Sequence, residues 1–263
     1  MEKVFVIKIG GNIIDDASKL DAFLLQFSQI QGYKILVHGG GKVATQIGNK
    51  LGIQPNYING RRITDDDTID VVTMVYGGLI NKNIVAQLQR VGTNAIGLTG
   101  ADGNFIRTNK RPVKTIDYGV VGDIDDKSID PESLEKLMDA GFTPVFCAIT
   151  HDGDGQLLNT NADTIASALA VALSKLYETT LVYCFEKKGV LQDINDEESL
   201  IREIDPERYE KLKEQQIIHS GMLPKLDNAF TAINCGVKAV IIGKSDDLGQ
   251  LKHENSFGTR LSK

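Results

Sequence analysis

The sequence predicts an α/β fold, in which buried strands alternate with helices. Two mostly apolar runs, at residues 4–9 and 35–37, each stop abruptly at consecutive glycines. Strands that are covered on both faces, as in parallel sheets, are apolar along their whole length. Apolar residues at helical spacing follow each run, so the chain opens in the order strand, helix, strand, helix. The same alternation returns from about residue 175.

The first strand contains a lysine, Lys8, in an otherwise apolar run that leads into Gly10, Gly11 and Asn12. A lysine is costly to bury in a strand that is covered on both faces. We therefore expect Lys8 at the carboxyl end of the strand, which is the edge where open α/β sheets bind ligands. The alternative is a lysine that reaches solvent from an edge strand.

The second strand ends in three consecutive glycines, Gly39, Gly40 and Gly41, before a helix predicted to begin near Lys42. Backbone N–H groups without side chains can approach a ligand closely, and the helix N-terminus adds partial positive charge. This combination suits a phosphate, whereas a simple strand-to-helix turn needs only one or two glycines. Neither GxxxxGK[ST] nor GxGxxG occurs in these turns, which excludes the common nucleotide loop and the dinucleotide fingerprint.

A hairpin over residues 57–64 is predicted by the dipeptide Asn59-Gly60. Arg61 and Arg62 follow directly, and adjacent residues of a strand point to opposite faces. One arginine could therefore reach a site while the other faces water. The alternative is that both are solvated surface arginines.

A long helix is predicted after the hairpin and towards Val91. Thr64 followed by Asp67 is typical of a capping box and predicts the helix start. Between residues 69 and 80 the helix is apolar nearly all round, with a Gly-Gly pair inside. Such a helix is buried on two sides. We expect one side to pack on its own core and the other to form a homodimer with a second copy.

Later apolar runs and proline signals complete the α/β pattern. Strands are predicted at 95–98, 143–149, 180–185 and 239–242, with short strands near 105–107 and 120–124. Helices are predicted from Pro131, after Pro206 and from Gly221, because proline is tolerated in the first turn.

Two of the predicted helix starts carry candidate functional residues. Asn159, Asn161 and Asp163 alternate before and inside one helix start, and a single cap would explain only one of them. Lys225 lies in the first turn of the helix predicted from Gly221. A cation there opposes the helix dipole unless an anion binds between the two. A plain exposed lysine is the alternative.

Composition narrows the classes of function. The chain has 263 residues, is 41% hydrophobic and 24% charged, and its net charge of −6 argues against generic nucleic-acid binding. Its three cysteines are far apart and odd in number, which is typical of small core residues in a reducing cytosol. No apolar run approaches membrane-spanning length, and no leader precedes the first strand. We expect a soluble cytoplasmic protein with no nucleic-acid or membrane partner.

Five motifs together resemble the amino acid kinase family over essentially the whole chain. They are KIGGN at 8–12, HGGGK at 38–42, NGRRIT at 59–64, NTNAD at 159–163 and GMLPK at 221–225. The first two mark the broad family. The motifs that contain Arg62 and Asn159 are typical of its acylglutamate kinases.

The resemblance implies a three-layer αβα sandwich around a mainly parallel central sheet. Residues 1–174 would form an N-terminal lobe for acylglutamate binding and dimerisation, and residues 175–263 a C-terminal lobe for the nucleotide. The implied reaction is phosphorylation of the side-chain carboxylate of an N-acylated glutamate by ATP, with Mg²⁺ arriving on the nucleotide. Such a carboxylate has a pKa of about 4 and is already ionised at pH 7, so no general base is needed.

The resemblance also implies roles for single residues. Lys8 and Lys225 would flank the transferred phosphoryl group, and Asp163 would orient both lysines. Arg62 and Asn159 would hold the α-carboxylate and the amide of the substrate, beside Gly40 and Gly41. The residues expected around the phosphates and the nucleotide are Lys8, Gly10, Gly11, Gly40, Gly41, Glu186, Gly189 and Lys225.

The chain departs from the family pattern in three ways. Relatives commonly carry T-D-x-x-G-V where this chain has Phe185–Val190, and the loop at Ala101 often carries lysine. Arginine-inhibited members have an extra N-terminal helix, whereas the first strand starts almost at once here. We therefore expect no feedback inhibition by arginine.

Several alternatives stay open. The residue before Arg62 is often apolar in relatives and is Arg61 here. Arg61 could pair with the extra carboxylate of a succinylated substrate, which makes an N-succinylglutamate kinase the first alternative. Other members of the family, such as glutamate 5-kinase or carbamate kinase, are a second. A non-catalytic sensor of nucleotide or amino acid is the alternative from a different class.

Overall fold

A computed structural model describes residues 1–58, 60–218, 222–252 and 256–263 of the chain. The strands in these ranges are β1 (Lys3–Ile9), β2 (Tyr33–His38), β3 (Tyr57–Ile58), β4 (Arg61–Arg62), β5 (Ala95–Leu98), β6 (Asn109–Lys110), β7 (Gly122–Asp123), β8 (Thr143–Cys147), β9 (Ile149–His151), β10 (Leu157–Asn159), β11 (Glu178–Phe185), β12 (Glu203–Ile204), β13 (Ala239–Lys244) and β14 (Thr259–Leu261).

Eight of the described strands form the central sheet, in the order β12-β14-β13-β11-β1-β2-β8-β5. All neighbours run parallel except β13 and β14, which are antiparallel. β1 lies between β11 and β2, with Lys8 opposite Tyr183 on one side and opposite Val37 on the other. The first strand of the chain therefore joins strands from both of its halves.

Helices pack against this sheet and share one hydrophobic core with it. In the described ranges they are α1 (Gly11–Ile14), α2 (Ala17–Ser28), α3 (Gly41–Lys50), α4 (Asp66–Val72), α5 (Asn81–Arg90), α6 (Pro131–Asp139), α7 (Ala162–Leu173), α8 (Pro206–Glu214) and α9 (Leu223–Asn234), with 3₁₀ turns at Asp102–Asn104 and Ser245–Lys252. The predicted α/β fold class, with a mainly parallel central sheet, is confirmed. None of the described helices has the length and apolar character needed to cross a membrane.

The core explains why the strand and helix patterns agree with the structure. The apolar residues of β1 and β2 are buried except for half-buried Phe5 and Tyr33, and α2 turns Phe23 and Phe27 towards the same core. Fully burying a side chain of this size stabilises a fold by about 1.5–3 kcal/mol. The first turn of α2 is fixed by the Asp16 carboxylate, which accepts hydrogen bonds from the N–H groups of Ser18 and Lys19.

The long helix after the hairpin runs from Asp66 to Arg90, as predicted, but it is not α-helical throughout. Between α4 and α5, residues Thr73–Ile80 form a π-helix that contains the Gly-Gly pair. π-helical turns are rare and occur frequently at functional sites. Periodicity at 3.6 residues per turn does not reveal such a turn.

The capping box predicted at Thr64 is wrong. Asp65 is the N-cap of α4, and its carboxylate accepts a hydrogen bond from Thr68 N–H at 2.9 Å. Thr64 is held in extended backbone because its N–H donates to the carbonyl of Tyr118. Its hydroxyl is taken by Asn159, whose Nδ2 donates to Oγ1 at 3.0 Å.

Three further expectations need correction. The strand predicted at 143–149 is two strands, and the second, β9, leaves the central sheet to pair with β10. The short strands β12 and β14 were not predicted, because two or three residues give little periodicity. Cys147 and Cys184 are buried as expected, but Cys235 is exposed at the C-cap of α9.

Two predicted features touch residues outside the described ranges. The first is the hairpin turn, because Asn59 is outside the described ranges. The strands next to the turn are described: β3 and β4 pair with Tyr57 opposite Arg62. The second is the helix predicted from Gly221, because Gly221 is also outside the described ranges. The described part of that helix, α9, begins at Leu223 and has Pro224 in its first turn, as predicted.

Candidate active site

The two glycine turns meet at the carboxyl edge of the central sheet. Because β1 and β2 are parallel neighbours, the turns that follow them lie side by side. A cleft of about 530 Å³ opens at this edge. Its lining residues are Gly10, Gly11, Asn12, Ile13, Gly41, Lys42, Cys184, Phe185, Glu186, Lys187, Gly189, Met222, Lys225 and Ile242. Six of the eight residues expected around the phosphates and the nucleotide are among them.

Lys8 and Asp163 form an ion pair beneath the cleft. Lys8 Nζ lies 2.7 Å from Asp163 Oδ1, and the lysine is 9% exposed. Asp163 stands in the first turn of α7, where Asn161 is the N-cap and accepts a hydrogen bond from Thr164 N–H. Thus Asn161 caps the helix while Asp163 is left to pair with the lysine.

Lys225 approaches the same place from the C-terminal half of the chain. It stands in the first turn of α9 and is partly buried. Burial lowers the pKa of Lys225, the nearby Asp163 carboxylate raises it and Lys8 lowers it. Its Nζ lies 3.8 Å from the centroid of the Phe185 ring. Two lysines and one carboxylate therefore form a cluster beside the two glycine turns.

Arg62 is turned inwards and Arg61 is exposed. Arg62 Nη2 donates to the carbonyl of Gly41 and to Thr45 Oγ1, both at 2.9 Å. Its guanidinium also lies 4.8 Å from the centroid of the Tyr57 ring. These contacts fix the Arg62 side chain against the glycine turn that follows β2.

Gly40 is a position that only glycine can occupy. Its φ of +156° is rarely adopted by residues with a side chain, and an added Cβ would lie 2.3 Å from Ile80 Cδ1 and 3.0 Å from Tyr76 Cδ1. Tyr76 and Ile80 belong to the π-helix. The glycine turn that follows β2 therefore packs directly against the π-helix.

His38 and Asn81 support the same turn from behind, and sequence reasoning gave neither of them a role. His38 is fully buried, and its Nδ1–H donates to the carbonyl of Gly39 at 2.8 Å. Asn81 Nδ2 donates to His38 Nε2 at 3.0 Å and to the carbonyl of Val145 at 2.9 Å. Burial lowers the pKa of His38 to about 4, so the ring is neutral at pH 7. The signal in the sequence that could have indicated a role for His38 is a histidine directly after the apolar run 35–37.

Asn159 lies near Arg62 but does not touch it in the described hydrogen bonds. It donates to Thr64 Oγ1, and Thr64 in turn contacts the carbonyl of Arg62 at 3.5 Å. The hairpin and β10 are thereby linked through Thr64. The structure brings Asn159 to the same side of the molecule as the Arg62 hairpin.

Glu186 and Gly189 lie on the C-terminal side of the cleft. The Glu186 carboxylate accepts a hydrogen bond from Asn12 Nδ2, and Lys42 Nζ donates to the Oδ1 of the same asparagine. Gly189 is buried, and a Cβ there would lie 2.5 Å from Thr259 Oγ1. Close packing against β14 is therefore one reason for glycine at 189.

Comparison with known proteins supplies a family and several relatives. A sequence profile described as the amino acid kinase family matches residues 3–244. A Cytophaga hutchinsonii protein named acetylglutamate kinase is 56% identical over 263 residues, which cover 99% of each chain. A Parabacteroides distasonis protein of the same name is 53% identical over 261 residues, 99% of this chain and 100% of that one. A Methanopyrus kandleri protein, also so named, is 38% identical over 92% of this chain and 96% of its own.

Solved structures with low sequence identity share the fold. N-acetylglutamate synthase from Neisseria gonorrhoeae, complexed with coenzyme A and N-acetyl-glutamate, superposes with a TM-score of 0.80 at 22% identity. The match covers 100% of this chain and 59% of that longer one. Carbamate kinase from Giardia lamblia bound to AMP-PNP gives a TM-score of 0.69 at 14% identity, covering 100% of this chain and 98% of that one. At these identities the likeness concerns the fold alone.

Proposed function

The chain belongs to the amino acid kinase family, and from that premise we propose that it transfers the γ-phosphoryl group of ATP to the side-chain carboxylate of N-acetylglutamate. The observation that carries this proposal is the cluster of Lys8, Asp163 and Lys225 at the carboxyl edge of the sheet, beside two glycine turns. Two cations and rows of backbone N–H groups suit a reaction between two anions. The names of the relatives supply the acceptor.

On the nucleotide side, the residues fit a bound triphosphate. Gly10 and Gly11 follow β1 without side chains, and Lys187 and Lys225 line the same cleft. Their N–H and ammonium groups would hold the phosphate oxygens and place the γ-phosphoryl group near Lys8. Mg²⁺ would enter with ATP, where it neutralises charge on the phosphate oxygens.

On the acceptor side, Arg62 has donors left for a carboxylate. A guanidinium has five N–H donors, and the two described hydrogen bonds of Arg62 both come from Nη2. We assign the α-carboxylate of the substrate to its remaining N–H groups and the amide to Asn159. The acceptor carboxylate would then point towards Gly40, Gly41 and Lys8. It is ionised at pH 7, so these residues need only position it and neutralise the developing charge.

Asp163 keeps the reacting lysine in place. Its carboxylate lies 2.7 Å from Lys8 Nζ. Burial lowers the pKa of Lys225, and the nearby Asp163 carboxylate opposes that shift. Lys8 would then be held at one place while the phosphoryl group passes between donor and acceptor. Charge fixed in advance needs no rearrangement during the reaction, which is what makes such stabilisation effective.

We also propose a cytoplasmic homodimer that pairs through the π-helix. Met74 is 55% exposed and Leu79 47% exposed on this segment, with exposed Gly78 between them, whereas Val75, Tyr76 and Ile80 are buried. A second copy would cover these apolar side chains. Size-exclusion chromatography with light scattering should return a dimer, and Leu79→Glu should shift it towards monomer. A monomeric wild-type protein would contradict this part of the proposal.

The reaction is tested by trapping the acyl phosphate product with hydroxylamine. Purified protein receives Mg²⁺ and ATP with N-acetylglutamate, N-succinylglutamate or glutamate in parallel. We expect hydroxamate with N-acetylglutamate. Absence of product with all three acceptors would overturn the proposal and favour a non-catalytic sensor.

The same assay tests Arg61, which is exposed beside the substrate arginine. We propose that Arg61 contributes to the choice of acyl group, because it could pair with a second carboxylate. Preference for N-succinylglutamate would replace the acetyl assignment while keeping the reaction. If Arg61→Leu discriminates between the two acyl groups as the wild type does, Arg61 has no such role.

A further inference from the structure

The ring of Phe185 lies next to both lysines of the cluster. Lys225 Nζ is 3.8 Å from the ring centroid and Lys8 Nζ is 5.9 Å from it. Phe185 ends β11 two residues after Tyr183, and Tyr183 is the sheet neighbour of Lys8. Side chains two residues apart on a strand, and those of paired residues, project from the same face. The ring is therefore built into the same face of the sheet as Lys8.

The two lysines have different partners. Lys8 pairs with Asp163, but no ion pair joins Lys225 to a carboxylate within the part of the chain that the structure describes. The contact of the Lys225 ammonium there is the face of the Phe185 ring. The negative face of an aromatic ring attracts a cation through its quadrupole, without carrying a charge itself.

The ring is itself held in position. Tyr183 and Phe185 stack with centroids 6.1 Å apart and planes 22° apart. The Tyr183 hydroxyl donates to the backbone carbonyl of Asp163 at 3.3 Å. Tyr183 thus contacts both the ring of Phe185 and the backbone of Asp163, the residue whose carboxylate pairs with Lys8.

We propose that Phe185 is a positioning residue for the phosphoryl transfer described above, on which this inference rests. Its ring holds the Lys225 ammonium at the cleft without neutralising it. A carboxylate in the same place would form an ion pair and compete with phosphate oxygens for the ammonium. The ring carries no net charge, so it does not compete with the nucleotide phosphates for the Lys225 ammonium, which lines the cleft.

Replacing the ring tests the proposal. Phe185→Leu keeps an apolar side chain but removes the quadrupole, whereas Phe185→Tyr keeps both. We expect Phe185→Leu to lower kcat about tenfold, equivalent to ~1.4 kcal/mol, with the KM for N-acetylglutamate little changed. Phe185→Tyr should restore kcat to near the wild-type value. Phe142→Leu is the matched control, because Phe142 lies before the amino end of β8, outside the cleft.

A second readout does not depend on activity. A methylene group above an aromatic ring is shifted upfield in NMR spectra by the ring current, so the side chain of Lys225 should give a shifted resonance in protein with ¹³C-labelled lysine. The resonance is assigned by its loss in Lys225→Arg. It should return to the ordinary lysine position in Phe185→Leu and stay shifted in Phe185→Tyr. Phe185→Met serves as the ring-free variant if the leucine variant does not fold.

The outcomes separate this inference from the proposed function. A ring-free variant that keeps wild-type kcat, or one that leaves the Lys225 resonance where it was, would overturn the role of Phe185. So would a tyrosine variant as slow as the leucine variant. The wild type could form no acyl phosphate while the Lys225 resonance changes among the Phe185 variants as expected. That result would overturn the proposed reaction but support the contact between the ring and the lysine.

Discussion

The two sides of the cleft are held by different kinds of contact. On the side that we propose for the acceptor, defined by Gly39–Gly41, Thr45 and Arg62, directed hydrogen bonds fix the arginine to the turn. On the side that we propose for the nucleotide, defined by Phe185–Gly189 and Lys225, the lysine contacts the face of a ring. Hydrogen bonds fix both distance and direction, whereas a ring face tolerates sliding. We therefore expect the proposed acceptor side to be pre-organised and the proposed nucleotide side to adjust to its ligand.

Lys8 lies between the two sides, and its removal should have the largest effect. We expect Lys8→Ala to lower kcat by about 10³-fold, ~4 kcal/mol, because its charge is needed most in the transition state. The KM values should change only a few-fold. Steady-state kinetics measures both, with Lys3→Ala as a control, since Lys3 is exposed at the amino end of the same strand. A change confined to KM would mean that Lys8 only binds.

Gly40→Ala tests the rigidity of the acceptor side. The added Cβ would lie 2.3 Å from Ile80 Cδ1 at a φ of +156°. Overpacking and backbone strain together should lower the free energy of unfolding by about 3 kcal/mol, and Tm by roughly 5–10 °C. Gly39→Ala is the matched control, because its Cβ would meet the nearest atom at 3.9 Å. Equal thermal stability of the two variants would show that the turn can move, and would remove the contrast between the sides.

Arg62→Lys should separate the two substrates kinetically. A lysine cannot reproduce the planar set of donors that binds Gly41, Thr45 and a carboxylate together. We expect the KM for N-acetylglutamate to rise about 30-fold, ~2 kcal/mol, while the KM for ATP stays unchanged. Arg90→Lys is the control, because Arg90 is an exposed arginine at the end of α5. A rise in the KM for ATP as well would show that the two sides are not independent.

The smallest expected effect is a dependence of stability on pH through His38. Folding lowers the pKa of His38 to about 4, so the unfolded chain binds the proton more readily. The contribution of neutral His38 to the free energy of unfolding is therefore fully present above pH 6.5 and is lost as the pH drops towards 4. Between pH 7 and 5.5 the wild type should lose about 1 kcal/mol more than His38→Asn, which keeps a donor for the Gly39 carbonyl. Urea unfolding at both pH values measures this difference, and equal losses would contradict it.

The sequence revealed most where the signal was local. Apolar runs that end in glycines predicted β1, β2 and their turns, and the position of Lys8 near a strand end predicted its place at the edge of the sheet. Adjacent arginines on a hairpin indicated that one could turn inwards while the other faces water, and Arg62 is the one that does. In each case the spacing of a few residues decides the geometry.

Contacts between distant residues could not be predicted in this way. The hydrogen bond between His38 and Asn81 joins residues 43 apart in the sequence. The close packing of Gly40 against Tyr76 depends on a π-helical turn. Thr64 was assigned to a cap because its local pattern suits one, but a hydrogen bond from its N–H to the Tyr118 carbonyl keeps its backbone extended. The ring of Phe185 was noted only as a departure from a motif, since its two lysines come from opposite ends of the chain.

The central place of β1 also has a consequence for how the protein is made. Lys8 lies opposite Tyr183, so one edge of β1 stays unpaired until 175 more residues have been synthesised. At about 5–20 residues per second, a ribosome needs roughly 9–35 s to supply the missing strand. During that time the nascent chain exposes free N–H and C=O groups along an apolar strand, which is a template for aggregation. Polypeptides that stop before β11 should therefore aggregate on release from the ribosome.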